Sequence, residues 1–306
     1  MCGTCRLAVL APGPISSRVP SLLMQIACAE CGCVVDRGII VEPCAKHPDC
    51  CCSQLAFAAR DSRPPSNQDG PTETPVAAEL VLAIRTGDIR SVGDLISMTP
   101  ELARGPLGGR FKTRTALHVV ADWPGYWPNG PEIVRILLAA GADPNFRDPE
   151  PRSETPLHWA ASSDDVDVAA ALIDGGADIE APDGSIGSPL DNAIGYACWH
   201  VARLLVARGA RVDKLWHAAA LGMLDRLDEL LDDKPTAQDV SQAFWHACAG
   251  GQRRAAERLL AAGADLNWEP DYAEGTPLDA ACGHSTRRDN LIGWLRDQGA
   301  RSADDR

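Results

Sequence analysis

Between residues 76 and 303 the apolar positions fall into short helical stripes separated by polar, glycine-containing breaks. Leu157, Ala160 and Ala161 show the unit in full: their i, i+3, i+4 spacing puts them on one helix face, and the alanines are small enough to let a neighbouring helix approach. Thr155 supplies a hydroxyl that can cap free N–H groups, and Pro156 presets φ at the first helical position, where its missing N–H costs little. A second stripe, Val166 to Ile173, follows a short Ser-Asp break and stops at Gly175-Gly176-Ala177-Asp178, where glycine can take the left-handed C-cap conformation. The pattern predicts helix, turn, helix, then an extended loop.

The unit recurs. Aligned on Leu157, it returns at Thr115-Ala116-Leu117-His118, Ser188-Pro189-Leu190-Asp191, Leu215-Trp216-His217, Phe244-Trp245-His246 and Thr276-Pro277-Leu278-Asp279. Closures follow at Gly141-Ala142, Gly176-Ala177, Gly209-Ala210, Gly263-Ala264 and Gly299-Ala300. Self-similarity at a period near 33 residues is the mark of a solenoid, in which each unit buries its apolar face only against its neighbours. The stripes in Ala77 to Arg85 and Ser91 to Ile96 read as a degenerate first unit capping that end. Two units depart from the pattern. The one starting at Leu117 carries five extra residues, spent on Trp123-Pro124-Gly125-Tyr126-Trp127-Pro128-Asn129-Gly130. The one from Leu215 to Leu231 lacks a Gly-Ala-Asp closure and passes through Asp233-Lys234-Pro235, which predicts a missing or remodelled loop.

These motifs resemble the ankyrin repeat family, in its bacterial type, whose signature runs Thr-Pro-Leu-His-x-Ala-Ala, then Leu-Leu, then Gly-Ala-Asp-x-Asn. Gly141-Ala142-Asp143-Pro144-Asn145 and Gly263-Ala264-Asp265-Leu266-Asn267 match its last part. The resemblance implies an all-α solenoid of about six helix-turn-helix repeats over residues 76–303. It implies hydrogen bonds from His118 and His158 within and between loops, while His217 and His246 fall one position later, where a side chain packs. It also implies that a partner protein docks on the concave side. The matching positions are Asp122 and Trp123, Ser162 and Ser163, and Gly195 and Tyr196, with Tyr126 and Trp127 added by the insert. Aromatic residues outside the helical period are either binding anchors or a cover for the solenoid's own surface.

Charge and cysteine usage change the picture at the N-terminus. The 306-residue chain carries a formal net charge of −13, and residues 1–75 hold six basic against seven acidic side chains, so about −12 belongs to the repeats. Nucleic-acid binding calls for a basic footprint, and this surface is acidic. No run of eighteen apolar residues is present to cross a membrane. Leu7 to Leu23 followed by Ala27-Cys28-Ala29 imitates a signal peptide, but Pro12, Pro14, Arg18 and Pro20 interrupt it. Residues 1–23 are expected to be an unstructured extension, with Met24 an alternative start.

Nine of the twelve cysteines precede residue 53. Cys28-x2-Cys31, then Cys44 after twelve residues, then His47 and Cys50 at steps of three, flank the β-prone Val34-Val35 and Gly38-Ile39-Ile40-Val41. The arrangement resembles a zinc ribbon, so residues 24–55 are expected to hold one structural zinc through Cys28, Cys31, Cys44 and either His47 or Cys50. A segment this short lacks a core of its own, and the metal would supply its folding free energy. Disulfides and a thiol-rich tail holding soft metals loosely are the other readings. Residues 56–75, polar and proline-rich, read as a disordered linker.

Cys198, Cys248 and Cys282 each sit near a histidine, but nucleophilic catalysis needs a thiol facing a base with a third group to orient it. In the repeat register Cys248 and Cys282 replace the second alanine of Ala-Ala, a packed position. Trp159, Trp199 and Trp294 fall at helix positions that face neighbouring helices. No phosphate loop, dinucleotide fingerprint or His-Glu-x-x-His helix is present. The expectation is a monomeric, cytoplasmic, non-catalytic scaffold that binds another protein. The alternative is a regulatory zinc protein whose N-terminal module carries the activity while the repeats tether it.

Overall fold

A computed structural model describes residues 7–9, 25–28, 34–36, 39–42, 74–108, 114–148, 153–283 and 288–305. They belong to two compact units. In the N-terminal unit β1 (Leu7–Val9), β2 (Gln25–Cys28), β3 (Val34–Asp36) and β4 (Ile39–Glu42) form an antiparallel sheet in that order. The β-prone stretches flanked by the cysteines are thus the hairpin β3–β4, with Val34 opposite Glu42. β1 lies inside the stretch expected to be unstructured and pairs Leu7 with Cys28.

The second unit is all-α. Its helices are α1 (Pro75–Thr86) and α2 (Ile89–Met98), a single turn α3 (Glu101–Arg104), then α4 (Ala116–Ala121) and α5 (Gly130–Ala139), and α6 (Pro156–Ser163) and α7 (Val166–Asp174). They continue as α8 (Pro189–Gly195) and α9 (Trp199–Ala207), α10 (Leu215–Leu221) and α11 (Leu224–Asp232), α12 (Ala237–Ala249) and α13 (Arg253–Ala261), and α14 (Pro277–Cys282) and α15 (Asp289–Asp297). These make seven pairs among the described residues: the six in-phase units and the degenerate end unit α1–α2.

The repeated apolar letters form the core. Leu117, Leu157, Leu190 and Phe244 at the key position are fully buried, and so are the outer-helix residues Leu137, Leu172, Leu205, Leu227 and Leu259. Small residues one turn later, Ala160 with Ala161, Ala218 with Ala219 and Ala247 with Cys248, are buried where consecutive inner helices meet. Cys282 occupies the same register position but is exposed. This corrects the expectation that it packs like Cys248: α14 belongs to the last pair among the described residues, none of whose inner helices lies over it. Burying such a side chain takes a neighbouring repeat, which the sequence position alone does not supply.

Hydrogen bonds fix the spacing between units. His118 Nδ1 accepts from Thr115 N–H at 3.3 Å, which leaves the proton on Nε2 to be donated to Glu154 O at 3.0 Å. His158 does the same, from Thr155 N–H at 3.2 Å and to Gly187 O at 3.0 Å. Each acceptor carbonyl lies just before the next unit's N-cap, so one imidazole both caps its own helix and latches the following repeat. In the unit of Phe244 an indole takes over, with Trp245 Nε1 donating to Gly275 O at 3.1 Å. Where aspartate stands in the histidine position the polarity inverts. Asp191 accepts from Lys214 Nζ at 2.6 Å and His217 Nε2 at 2.8 Å, and Asp279 from Ser302 Oγ at 2.6 Å. A carboxylate can only accept, so the chain that follows the pair must bring the donor.

The unit without a Gly-Ala closure is remodelled in two ways. Gly141, Gly176, Gly209, Gly263 and Gly299 all have φ between 89° and 101°, and at the equivalent bend Lys234 takes φ 56°. A lysine held left-handed costs about 1–2 kcal/mol that glycine avoids. The loop that would follow is replaced by helix: Thr236 caps α12 directly, and α12 runs 13 residues where the other inner helices of the in-phase units run six to eight.

Candidate protein-binding surface

The insert between α4 and α5 is anchored on both sides. Towards the preceding unit, Asn129 Nδ2 donates to Gly87 O at 2.8 Å. Towards the following one, the Tyr126 backbone N–H donates to the Asp165 carboxylate and its hydroxyl to Asp164 O. Asp164, itself left-handed at φ 55°, receives the N–H groups of His200 and Val201 at 3.0 Å each. The inter-helix turns of four successive units are thus wired together. Burial pushes the Asp165 carboxyl above the usual range, against the N–H groups of Val168 and Tyr126, which favour the charged form.

The expected site residues separate by environment. Trp127 folds back, its indole N–H on Asp122 O at 3.2 Å and the Arg85 guanidinium 5.7 Å from its ring centre. Asp122 is half-buried, and its Oδ2 meets Arg85 and Arg114 at 3.4 Å each. Burial raises its pKa, and those two cations oppose the rise. Ser162 is half-buried between His158 O at 2.9 Å and Asn192 Nδ2 at 3.2 Å. Ser163 is buried, and its hydroxyl donates to Ala121 O at 2.9 Å, so its side chain is spent on joining α6 to α4 rather than shown to a partner. Trp123, Tyr126 and Tyr196 remain 57%, 52% and 53% exposed. Gly195 is exposed beside Ile186, whose Cδ1 would lie 2.5 Å from a Cβ built there.

A second aromatic group, on the later units, went unread in the sequence. His246 lies 4.8 Å from Trp216 and 5.1 Å from Trp245, and stacks at 6.1 Å on Tyr272, which comes from the loop before α14. Burial drives His246 down to about 3, so it is neutral, and its Nε2 is 3.2 Å from the Tyr272 hydroxyl. His217 is buried as its register position implied, but through a hydrogen bond to Asp191 as well as packing. Burial alone would raise the pKa of Asp191. The hydrogen bonds of His217 and Lys214 outweigh that and hold it well below the usual range. Trp216, Trp245 and Trp268 looked like separate letters in three units, and only the stacking of the units makes them one surface.

A family model described as ankyrin repeats (3 copies) matches residues 80–183 and 117–214. The helix pairs within residues 80–214 match the ankyrin repeat pattern. Among curated relatives, the human SH3 and multiple ankyrin repeat domains protein 2 is 36% identical over 152 residues, covering 44% of this chain and 8% of that protein. An ankyrin repeat and KH domain-containing protein of Caenorhabditis briggsae is 31% identical over 152 residues, covering 46% of this chain and 6% of its own length. The chain thus spans less than a tenth of either. Both are animal proteins, so they lend the bacterial type no support. Among solved structures, the ankyrin repeat domain of Bcl-3, a unique member of the IkappaB protein family, aligns with TM-score 0.42 at 25% identity, covering 71% of this chain and 97% of that one. The human ASB11 ankyrin repeat domain aligns with TM-score 0.37 at 22% identity, covering 61% and 85%.

The matched residues end at 214, but the ankyrin layout does not: three further helix pairs follow with the same buried positions. Within the repeat register Cys198 and Cys248 are buried. Burial pushes the Cys198 thiol up to about 12 and Cys248 higher still, which suppresses the thiolate. His200 turns its Nδ1 to Asp164 Oδ2 at 2.7 Å, while Cys198 Sγ faces Tyr196 O at 3.6 Å. Trp159, Trp199 and Trp294 are all partly buried against the core, as their helix positions implied.

Of the expected zinc ligands, Cys28 closes β2, and Cys31, Cys44, His47 and Cys50 lie outside the described residues. Among the described residues no group of three or more His, Cys, Asp or Glu could hold a metal ion. None of their helices is long and apolar enough to cross a membrane.

Proposed function

We propose that this chain is a non-catalytic scaffold whose ankyrin repeats bind another protein on the concave side, with Trp123, Tyr126 and Tyr196 as anchors. The observation that carries this reading is the exposure of three aromatic rings, each more than half in solvent, on turns cross-linked by hydrogen bonds. Rings held in place bring large contact area at little entropic cost. Asp122 and Gly195 precede Trp123 and Tyr196 in the chain, Trp127 folds back onto Asp122, Ser162 is half-buried, and the buried Ser163 drops out. In this reading the scaffold is a cytoplasmic monomer, and its N-terminal segment folds around one structural zinc ion. The β3–β4 register supports the zinc assignment, because Val34 opposite Glu42 brings the strand ends that lead to Cys31 and Cys44 side by side.

The test compares proteins retained from the native cell by the full chain with those retained by Trp123→Ala and Tyr196→Ala. Both variants should keep the melting temperature and lose a retained protein. If both retain the same set as the parent chain, these residues do not form the binding face.

A further inference from the structure

Trp123, Ser163 and Tyr196 each stand six residues after a buried key leucine, Leu117, Leu157 and Leu190, so they are one register position in three successive units. Trp123 and Tyr196 are more than half exposed, whereas Ser163 is buried and leaves the middle unit without a side chain in solvent at this position. Tyr126 takes its place. Its backbone N–H donates to the Asp165 carboxylate and its hydroxyl to Asp164 O, the residue next to Ser163, which holds an exposed ring from the insert at the middle turn. The turns after α4, α6 and α8 thus present one ring each.

The step between the rings follows from helix packing. α6 packs on both α4 and α8, and packed helices lie about 8–10 Å apart. A polypeptide in the polyproline II conformation rises about 3.1 Å per residue and repeats its face every third residue, so its step is about 9 Å. A β-strand repeats its face at about 7 Å, which falls out of phase by the third ring. An α-helix comes near the step only every seven residues, at about 10.5 Å, and keeps its carbonyls in its own hydrogen bonds.

The polar atoms along the rings favour the polyproline conformation over the helix. Among the described residues the Trp123 indole N–H and the Tyr196 hydroxyl have no hydrogen-bond partner. An indole can only donate, and a polyproline II segment has no internal hydrogen bonds, so its carbonyls are free to accept. The carboxylates beside the rings are already paired, Asp122 with Arg85 and Arg114, and Asp164 with His200. The rings therefore offer apolar area and donors to a segment rich in carbonyls.

We propose that Trp123, Tyr126 and Tyr196 form a docking site for a proline-rich segment of a partner protein, bound as a polyproline II helix with prolines three residues apart. Each proline would lie on one ring, and the Trp123 indole would donate to a carbonyl of the segment. Proline has no N–H to leave unpaired against a ring, and its fixed φ means that little ordering is needed on binding. The proposal gives the chemistry of the partner segment for the face described above, and it rests on that reading.

The test titrates the full chain by calorimetry with a synthetic peptide that has proline at every third position. A peptide of the same composition with its prolines at every second position, and one with alanine for every proline, run beside it. The first should bind at least about ten-fold more tightly than either, and Trp123→Ala and Tyr196→Ala should each weaken it about ten-fold. Circular dichroism checks folding, and each variant decides the matter if the other unfolds. Leu82→Ala removes an exposed apolar side chain from α1 and should leave affinity unchanged. No binding, equal binding of the peptide with its prolines out of phase, indifference to both ring variants, or equal weakening by Leu82→Ala would overturn the site. If the ring variants still lose a protein retained from the native cell while the peptide fails to bind, the segment chemistry is wrong and the scaffold reading stands. If they retain the same proteins as the parent chain, the scaffold reading itself fails.

Discussion

Replacing His118 by glutamine should remove a defined part of the domain's acid sensitivity. His118 is 3% exposed, and its ring is committed as a neutral group, accepting at Nδ1 and donating at Nε2. Burial lowers its pKa from 6.5 to about 4, while the unfolded chain keeps the ordinary value. Between pH 6.5 and 4 the unfolded state therefore binds a proton that the folded state refuses. Stability is fully present above pH 6.5 and is lost as the pH falls. From pH 7 to pH 5 the loss from this residue comes to about 2 kcal/mol, and by pH 4 to about 3 kcal/mol. Asp122 and Asp165, whose pKa values are raised, act in the opposite sense, and comparing the parent chain with the variant cancels them. Glutamine keeps one acceptor and one donor on the same side chain but does not titrate. Urea unfolding at pH 7 and pH 5 measures the difference. Trp159, 5.1 Å from the His118 ring, reports on the latch itself through its fluorescence. The drop between the two pH values should be smaller in His118→Gln by about 2 kcal/mol. An identical drop in both proteins would refute the assignment of His118 as a neutral latch.

Lys234→Gly should stabilise the domain by roughly 0.5–1 kcal/mol, since relief of the left-handed strain exceeds the extra chain entropy of glycine; a lower melting temperature would show that Lys234 does not stand in for the closure glycine. Under native conditions a thiol reagent mapped by mass spectrometry should label Cys282, which is exposed, and spare Cys198 and Cys248, which are buried. Labelling of Cys248 as fast as Cys282 would contradict the packing of α12 on α10. Purified full-length chain should contain about one zinc per molecule, and Cys28→Ser with Cys31→Ser should contain none; equal metal in both would remove the zinc assignment.

Much of the fold was legible because a repeat writes the same physical requirement many times. Leu117, Leu157, Leu190 and Phe244 are buried because their period keeps them on the inner helix face, and the closure glycines mark bends that other residues enter only under strain. The role of His118 and His158 could be carried over from the resemblance because the threonine and leucine of the motif stand before each of them. The N-terminal hairpin was readable from its β-branched residues, while strand β1 was hidden in a stretch that prolines made look formless.

What the sequence could not express was anything that depends on two units at once. Cys248 and Cys282 are the same letter in the same register, yet one is buried and the other exposed, because among the described residues only Cys248 has a following inner helix over it. Ser163 matched a surface position of the family, but α4 lies within reach of its hydroxyl and withdraws it. Trp127 and Trp123 sit in one insert, and only the turns on either side decide that the first folds back while the second stays in solvent. Trp245, His246 and Tyr272 converge because α12, whose extended N-terminal part brings Gln242 to the Tyr272 hydroxyl, meets the loop before α14. Period and chemistry along one chain determined which residues form helices and which faces are apolar. Neighbouring repeats alone determined which small, polar or aromatic side chains are covered, because in a solenoid each unit is the solvent boundary of the next.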